Sequence, residues 1–599
     1  FKAFKLLAII VCTMYIPFRG LIIKNLYLNF IKYILLVQII YSAEAIAKKF
    51  DRSNPEGTSN LNQVVKKASK EYMIVTADKR ASLAAQNVLL FGGNALDAAI
   101  AAQNVLAVVE PQSSGLGGGG FLLFYNNKEK KLYAYDGRET STSLVKNNMF
   151  LIDNNKKMNF IDAVQNPYSV GIPGLYTMLA DAHLEHGNLN WRNLFESSLY
   201  HAESFQMGER LNKLLSWAPH IKDNSFVRKT YFFKGEPIKV GNYVKNIEIK
   251  QSLEVLSQDP YSLKSGLLAK KIASKMPNFF LLSDLKNWKT IKRDPLCKTI
   301  NSYKVCGFPP PTSGGVGVIQ ILGILNYKKN LIKNNKPLLA KHFFIEASRL
   351  AYKDRNYYIA DPLFFDIPLN KLISDSYLFQ RSKLINENYS SKNIEHGNIE
   401  KFESNNLKSG NNFEKTSTTH ISIIDKEGNV VSLTSSVEFA FGSGITVGGF
   451  FLNNQLTDFS FMNKNDKGEL VANRIQQNKK PRSSMSPTII FDNNNNIYSV
   501  IGSPGGSRII CYVAKVAYEI IFLNKDPLFS IQSPHFCSRD AFTELEKSNN
   551  SNELKDYLSS KGHSVKLKDM TSGLNIIWKK NNIYYGVADP RREGVAIGE

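Results

Sequence analysis

The clearest capacity for chemistry lies in the stretch KTSTTHISIIDKEGNVVSLTSS, from Lys415 to Ser436. It reads as a polar approach, an alternating strand, a Glu-Gly-Asn turn and a second strand. Threonine favours strands and loops are polar, which would account for the pattern without any chemistry. A sharper reading makes Thr418 the first residue of a new chain. A threonine hydroxyl is a weak nucleophile until a base removes its proton. An N-terminal Thr418 would carry that base itself, because an α-amine titrates at about 7.7–8.0. His420 lies two residues on and shares the strand face of Thr418, and it reads as a packing or orienting residue. Other nucleophile signatures fail. No G-x-S-x-G is present, and SLVK at Ser143–Lys146 fits S-x-x-K without an accompanying K-T-G.

The elements around this hairpin are legible in outline. Asn94 is placed to cap a helix, with Asp97 in its first turn and an Ala/Leu/Val run that stops before Pro111. Gly117–Gly120 follow, then the strand FLLFYN, a turn and KLYAYDGRE. A phosphate loop needs strand, glycines and helix in that order. Here the order is helix, glycines, strand, which points to close backbone packing instead. KPLLAKHFFIEASRLAYKDRNYYIADP reads as helix, and FPPPTSGGVGVIQILGIL as a turn into another. Residues 386–417 are Asn/Ser/Lys/Gly-rich with little periodicity and read as a mobile, exposed segment.

The 599 residues carry 75 Lys+Arg against 52 Asp+Glu, a formal charge of +23. The lysines are scattered among asparagines without a basic stripe, so nucleic acid is not the expected partner. Residues 1–47 hold two short apolar stretches, Leu6–Phe18 and Tyr33–Tyr41. Lys24 and Lys32 precede the second and SAEAIA follows it, the pattern of an export signal cleaved after Ala45 or Ala47. This predicts a periplasmic or secreted protein, with a retained membrane anchor as the alternative. Cys297 and Cys306 flank a short hairpin, where either a disulfide or two buried free thiols would fit. No C-x-x-C or H-E-x-x-H spacing calls for zinc.

TTHISIIDKEGNVVSLTSSVEFAFGSGITVGGFFLNNQLTDFSF, PRSSMSPTII and GSPGGSRII resemble the small subunit of γ-glutamyltranspeptidases, also called glutathione hydrolases. GGNALDAAIA, PQSSGLGGGGF, YDGRE and PPPTSGG resemble the large subunit, so the likeness runs from about residue 70 to the C-terminus. It implies an N-terminal-nucleophile hydrolase, an α/β protein built as a four-layer αββα sandwich, formed jointly by two subunits after self-cleavage. The cut would fall between Ser417 and Thr418. That leaves a large subunit of residues 48–417, ending in the flexible tail 386–417, and a small catalytic subunit of residues 418–599.

The resemblance also implies roles. Arg138 matches the arginine that binds the donor's α-carboxylate, which calls for a planar two-donor cation. Ser483 and Ser484 match serines holding the same carboxylate. Gln455 and Asp458 match acceptors for the α-ammonium, and Gly505 and Gly506 match the oxyanion hole. Ser436 stands where the supporting hydroxyl is usually threonine. Glu438 stands where an asparagine usually binds the ammonium. The segment between Asp458 and Ser483 is shorter than in members with a covering lid. The expected activity is hydrolysis or transfer of γ-glutamyl groups from glutathione and related compounds, leaning to hydrolysis, with amino acids or dipeptides as acceptors and no cofactor or metal. A cephalosporin (glutaryl) acylase or poly-γ-glutamate hydrolase on the same fold is the alternative. A non-catalytic γ-glutamyl-binding protein is a remote one.

Overall fold

Period-two patterning is what the structure uses to build its centre. The computed structural model describes residues 66–153, 156–333, 336–399, 407–408, 417–465, 467–539 and 541–599. The export segment read at 1–47 lies outside these residues, as do 400–406 and 409–416 of the polar stretch before Thr418. Fourteen strands make two sheets: β1 (Lys67–Ser69), β2 (Met73–Thr76), β3 (Gly119–Asn126), β4 (Lys131–Gly137), β5 (Ile291–Arg293), β6 (Leu296–Ile300), β7 (Tyr303–Gly307), β8 (Thr418–Ile424), β9 (Val430–Ser436), β10 (Thr488–Phe491), β11 (Ile497–Gly502), β12 (Asn575–Lys580), β13 (Ile583–Ala588) and β14 (Val595–Gly598). The first sheet runs β5-β4-β3-β9-β8-β2-β14 and the second β1-β13-β12-β11-β10-β7-β6. Every pairing in both is antiparallel.

Alternation along each strand decides which layer a side chain enters. In the first sheet Ile74, Leu122, Phe124, Ile421, Ile423, Val431 and Leu433 pack outwards against helices α1 (Lys79–Leu90), α2 (Ala95–Val109) and α3 (Leu175–His186). Met73, Val75, Phe121, Leu123, Ile424 and Val430 point inwards, into the core shared with Ile489, Val500 and Ile577 of the second sheet. Behind that sheet lie α4 (Gly314–Asn326), α5 (Pro337–Tyr358) and α6 (Ile509–Leu523). The order is helices, sheet, sheet, helices.

Helix α2 begins at the residue its capping chemistry predicts. Asn94 accepts from the N–H groups of Leu96 and Asp97, and Asp97 accepts from the Asn94 N–H. All fifteen of its residues are buried. Its six alanines let it lie close to both α1 and the sheet. Cys297 and Cys306 face each other in the β6–β7 register and are joined by a disulfide. A second disulfide joins Cys511 of α6 to Cys537. Residues 386–399, from the polar stretch, lie along α5. The Gly397 N–H reaches Asp354, Tyr358 donates to the Gly397 carbonyl, and His396 stacks on Tyr357 at 3.6 Å. Among the described residues no helix is long and apolar enough to cross a membrane.

The glycine run before β3 is required by contact. A Cβ on Gly117 would sit 2.1 Å from the Phe451 carbonyl oxygen, and one on Gly118 would sit 2.3 Å from that of Ser436. Gly118→Ala should therefore force a backbone shift and cost about 1–3 kcal/mol of stability. Gly115→Ala, whose Cβ would meet Ala107 at an ordinary 3.7 Å, should change stability by roughly 0.5 kcal/mol or less. Denaturant titration of both variants checks the contrast.

Candidate functional site

The β8–β9 register places Thr418 directly opposite Ser436. Their hydroxyl oxygens are 3.2 Å apart. Ser436 Oγ donates to the carbonyl of Ser417 at 2.6 Å and accepts the Glu438 N–H at 2.9 Å. A hydroxyl has a single proton to give. Since Ser436 gives its proton to Ser417, the proton between the two hydroxyls must come from Thr418. The result is a directed chain, Thr418 to Ser436 to the carbonyl of the Ser417–Thr418 peptide bond. Both residues of that bond are buried. The Thr418 carbonyl is held by Arg592 Nη1 at 3.1 Å, and the Ser417 hydroxyl donates to the Gln112 carbonyl.

His420 is fully buried between the sheets. Its Nδ1 lies 2.8 Å from Thr434 Oγ1 and its Nε2 3.1 Å from Ser422 Oγ. Burial pushes the imidazole down to about 3, so it is neutral at any physiological pH. It packs against Gly502, where any Cβ would overlap the ring. Of the packing or orienting residue read from the sequence, the structure shows the packing.

Arg138, at the end of β4, meets Asp458 across 320 residues of chain: Nη2 lies 2.6 Å from Oδ2. The same guanidinium donates to the carbonyls of Pro481 and Arg482, at 3.1 and 3.0 Å, tying it to the turn that carries Ser483 and Ser484. Gln455 Nε2 donates to Asp458 Oδ2 at 2.5 Å. Two polar atoms of this cluster, Arg138 Nη1 and Gln455 Oε1, are buried without a hydrogen-bond partner. Ser484 Oγ accepts from Arg355 of α5 at 2.9 Å, and the Ser483 hydroxyl accepts the Met485 N–H at 3.1 Å. Glu438 sits at a φ of +77°, which costs a non-glycine residue strain, and its carboxylate accepts from Asn454 Nδ2.

Gly505 and Gly506 have φ of +136° and +58°, and a Cβ on Gly505 would strike the Tyr512 ring at 2.5 Å. Glycine is needed at this turn. Helix α6 starts three residues later with no side chain capping it, so its positive end faces the turn. The preceding Pro504 packs on Gly573, which also touches Arg592, the residue holding the Thr418 carbonyl. The structure thus joins Arg138, Gln455 and Asp458 directly, links Ser483 and Ser484 to them through the 481–482 carbonyls, and links Thr418 to Ser436 and Glu438.

Several residues at the site escaped the sequence reading. Glu139 follows Arg138 and is fully buried, with Oε2 3.8 Å from Arg138 Nη1. Neither of its oxygens accepts a hydrogen bond from another residue. Burial raises its carboxyl to about 8, despite the pull of Arg138. Asp136 is the opposite case. Burial would raise it, but Lys480 at 2.9 Å and Arg293 at 2.8 Å bring it below the usual carboxylate value. Arg138 therefore stands between Asp458, its partner at 2.6 Å, and a Glu139 whose carboxyl burial raises to about 8. The only hint of Glu139 in the sequence was its place beside Arg138.

Residues 81–599 match the sequence profile of the family described as Gamma-glutamyltranspeptidase. The glutathione hydrolase proenzyme of Bacillus subtilis strain 168 is 30% identical over 96% of this chain and 98% of its own length. That of Escherichia coli K12 is 32% identical over 87% and 91%. Among solved structures, cephalosporin acylase from Bacillus halodurans superposes with a TM-score of 0.74 at 22% identity, covering 90% of this chain and 98% of its own, a likeness of fold.

Protonation of Glu139 gives a test of this electrostatic picture. Its folded-state carboxyl titrates above its unfolded value of about 4.3, so the folded chain holds a proton that the unfolded chain has released. The resulting stability is complete below about pH 4.3 and falls as pH rises towards 8, with a slope approaching ~1.4 kcal/mol per pH unit from this residue. Glu139→Gln should flatten that part of the stability–pH curve, measured by denaturant unfolding between pH 5 and 9.

Proposed function

The chain belongs to the γ-glutamyltranspeptidase family and has its N-terminal-nucleophile hydrolase fold, and from that premise we propose that it is an exported, self-cleaving γ-glutamyl hydrolase and transferase. Glutathione and other γ-glutamyl compounds are its donors, and Thr418 is its nucleophile. The observation that carries this reading is the bridge made by Ser436, whose hydroxyl touches both the Thr418 hydroxyl and the Ser417 carbonyl.

In the uncut chain Ser436 polarises the carbonyl that must be attacked and accepts the proton of the attacker. Thr418 Oγ1 bonds to the Ser417 carbonyl carbon, the C–N bond breaks, and the hydroxyl proton ends on the departing nitrogen. Water then hydrolyses the ester. This leaves a carboxylate on Ser417 and a free amine on Thr418. The products are a large subunit of residues 48–417 and a small one of residues 418–599. They stay associated because β8 and β9 lie between β3 and β2, hydrogen-bonded on both sides.

In turnover the Thr418 amine takes the hydroxyl proton, and the oxygen attacks the γ-carbonyl of the donor. The N–H groups of Gly505 and Gly506, with the uncapped end of α6 behind them, receive the oxyanion. The amine leaves with a proton from the Thr418 ammonium, and water or an acceptor amine resolves the γ-glutamyl ester. Arg138 Nη1 and the hydroxyls of Ser483 and Ser484 bind the donor's α-carboxylate. Gln455 Oε1, Asp458 and Glu438 bind its α-ammonium. Two unmatched polar atoms of opposite sense, a cationic donor and an acceptor, suit a zwitterionic amino-acid head better than a glutaryl chain, which lacks the ammonium. The two disulfides fit an oxidising compartment, supporting a periplasmic or secreted location over a reducing one.

Thr418→Ala should leave a single uncut chain that turns over no γ-glutamyl-nitroanilide, and N-terminal sequencing of the smaller wild-type fragment should read TTHIS. Cleavage elsewhere would remove the proposal. Arg138→Lys loses the planar fork, and should lower kcat/KM for γ-glutamyl donors by about 10–100-fold. It should leave self-cleavage intact on denaturing gels. A preference for glutaryl over γ-glutamyl donors in kcat/KM would favour the acylase reading instead.

A further inference from the structure

Thr419 follows the proposed nucleophile and points to the opposite face of β8, towards the helices. Its hydroxyl donates to Glu110 Oε2 at 3.3 Å. Glu110 ends helix α2, and its other oxygen is held by Arg210 Nη1 at 2.6 Å. The same nitrogen reaches Ser113 Oγ at 2.9 Å. Two residues past Glu110, the Gln112 carbonyl accepts the hydroxyl of Ser417. The short segment 110–113 therefore grips the chain on both sides of Thr418, at the residue before it and at the residue after it. The segment is fixed in turn from the β9 end, where Val437 N–H donates to the Ser113 carbonyl at 3.1 Å and Phe441 N–H to that of Gln112 at 3.2 Å.

All of this is buried. A carboxylate and a guanidinium in such a layer are costly, and an apolar pair of similar size would fill the space at least as well. Burial raises the Glu110 carboxyl to about 7 against the pull of Arg210 and Arg592. The groups that face it are Arg210 of helix Glu209–Trp217, Thr419 of β8, and more distantly Arg592, Asp78 and Glu593. In the proposed turnover Thr418 attacks from the other face of β8, and neither Glu110 nor Arg210 takes part. Cutting the chain is different. The Thr418 hydroxyl must be brought over the carbonyl carbon of the residue before it, which depends on the backbone torsions at 417 to 419. A misplacement of about 1 Å can cost 100-fold in rate.

We propose that Glu110, held by Arg210, is a positioning residue for cleavage of the Ser417–Thr418 bond, acting through the Thr419 hydroxyl, and that it is dispensable once the bond is cut. The proposal rests on the self-cleavage reading above. Glu110 exchanges no proton in the step; it fixes where the scissile bond lies.

Full-length Glu110→Ala, Glu110→Gln, Thr419→Val and the Glu110→Ala/Thr419→Val double variant, made by cell-free synthesis, are followed on denaturing gels from precursor to two fragments. Once conversion is complete, kcat and KM for γ-glutamyl-nitroanilide are measured per processed molecule. Glu110→Ala and Thr419→Val should each slow cutting at least tenfold, with the double variant no slower than the slower single one. Glu110→Gln, which keeps hydrogen-bonding ends, should stay within about threefold of wild type, and processed enzyme from every variant should keep kcat within about twofold. If Glu110→Ala fails to fold because Arg210 is left unpaired, Thr419→Val, which leaves the ion pair whole, decides alone. Cutting of Thr419→Val at the wild-type rate, additive effects in the double variant, or a parallel loss of kcat would overturn the proposal. A wild-type chain not cut at 417–418 would overturn the functional reading as well. A wild type that is cut, beside variants cut equally fast, would sink this proposal alone.

Discussion

Two hydroxyl groups on neighbouring antiparallel strands are held opposite one another by a register neither strand can change. A slip of one residue would turn every β8 side chain to the other layer, sending Ile421 and Ile423 between the sheets and His420 into the helices. The outer contacts of Ile421, Ile423, Val431 and Leu433 and the inner contact of His420 with Gly502 therefore pin Thr418 against Ser436. The hydrogen-bond chain to the Ser417 carbonyl depends on that alignment. So does the grip from Glu110 and Gln112 on the far side. The hydrophobic alternation and the chemistry are set by the same constraint.

Local signals in the sequence were sufficient where one residue's chemistry settles the outcome. Asn94 and Asp97 mark the start of α2 because their side chains satisfy N–H groups that nothing else reaches. The helix–glycine–strand order at Gly117–Gly120 marks close packing because the backbone meets Phe451 and Ser436 there. The four-layer arrangement itself was not legible from periodicity. It came through the resemblance, since sheet order depends on pairings such as β3 with β9, roughly three hundred residues apart.

The Arg138–Asp458 cluster divides in the same way. Arg138 and Asp458 carry motif signatures, but their contact spans 320 residues, and composition says nothing of it. Glu139 and Glu110 were overlooked for a physical reason: a carboxylate in a sequence reads as solvated until burial is known. The cluster reads Arg138 as paired to a carboxylate and backed by a neutral acid, an arrangement that only three-dimensional packing creates. The Cys511–Cys537 bridge was missed likewise, because a helix and a short strand share no repeating pattern that would announce it.

The placement of β8 and β9 in the middle of the first sheet has a kinetic consequence. An intact chain assembles that sheet in a unimolecular search, at a rate indifferent to concentration. A severed chain that has once come apart must instead find its other half by diffusion, in competition with aggregation of two exposed sheet edges. Cut as proposed, the chain would pass from a fold that can be regained to one that persists because its unfolding is slow, with a lifetime governed by a barrier rather than by an equilibrium.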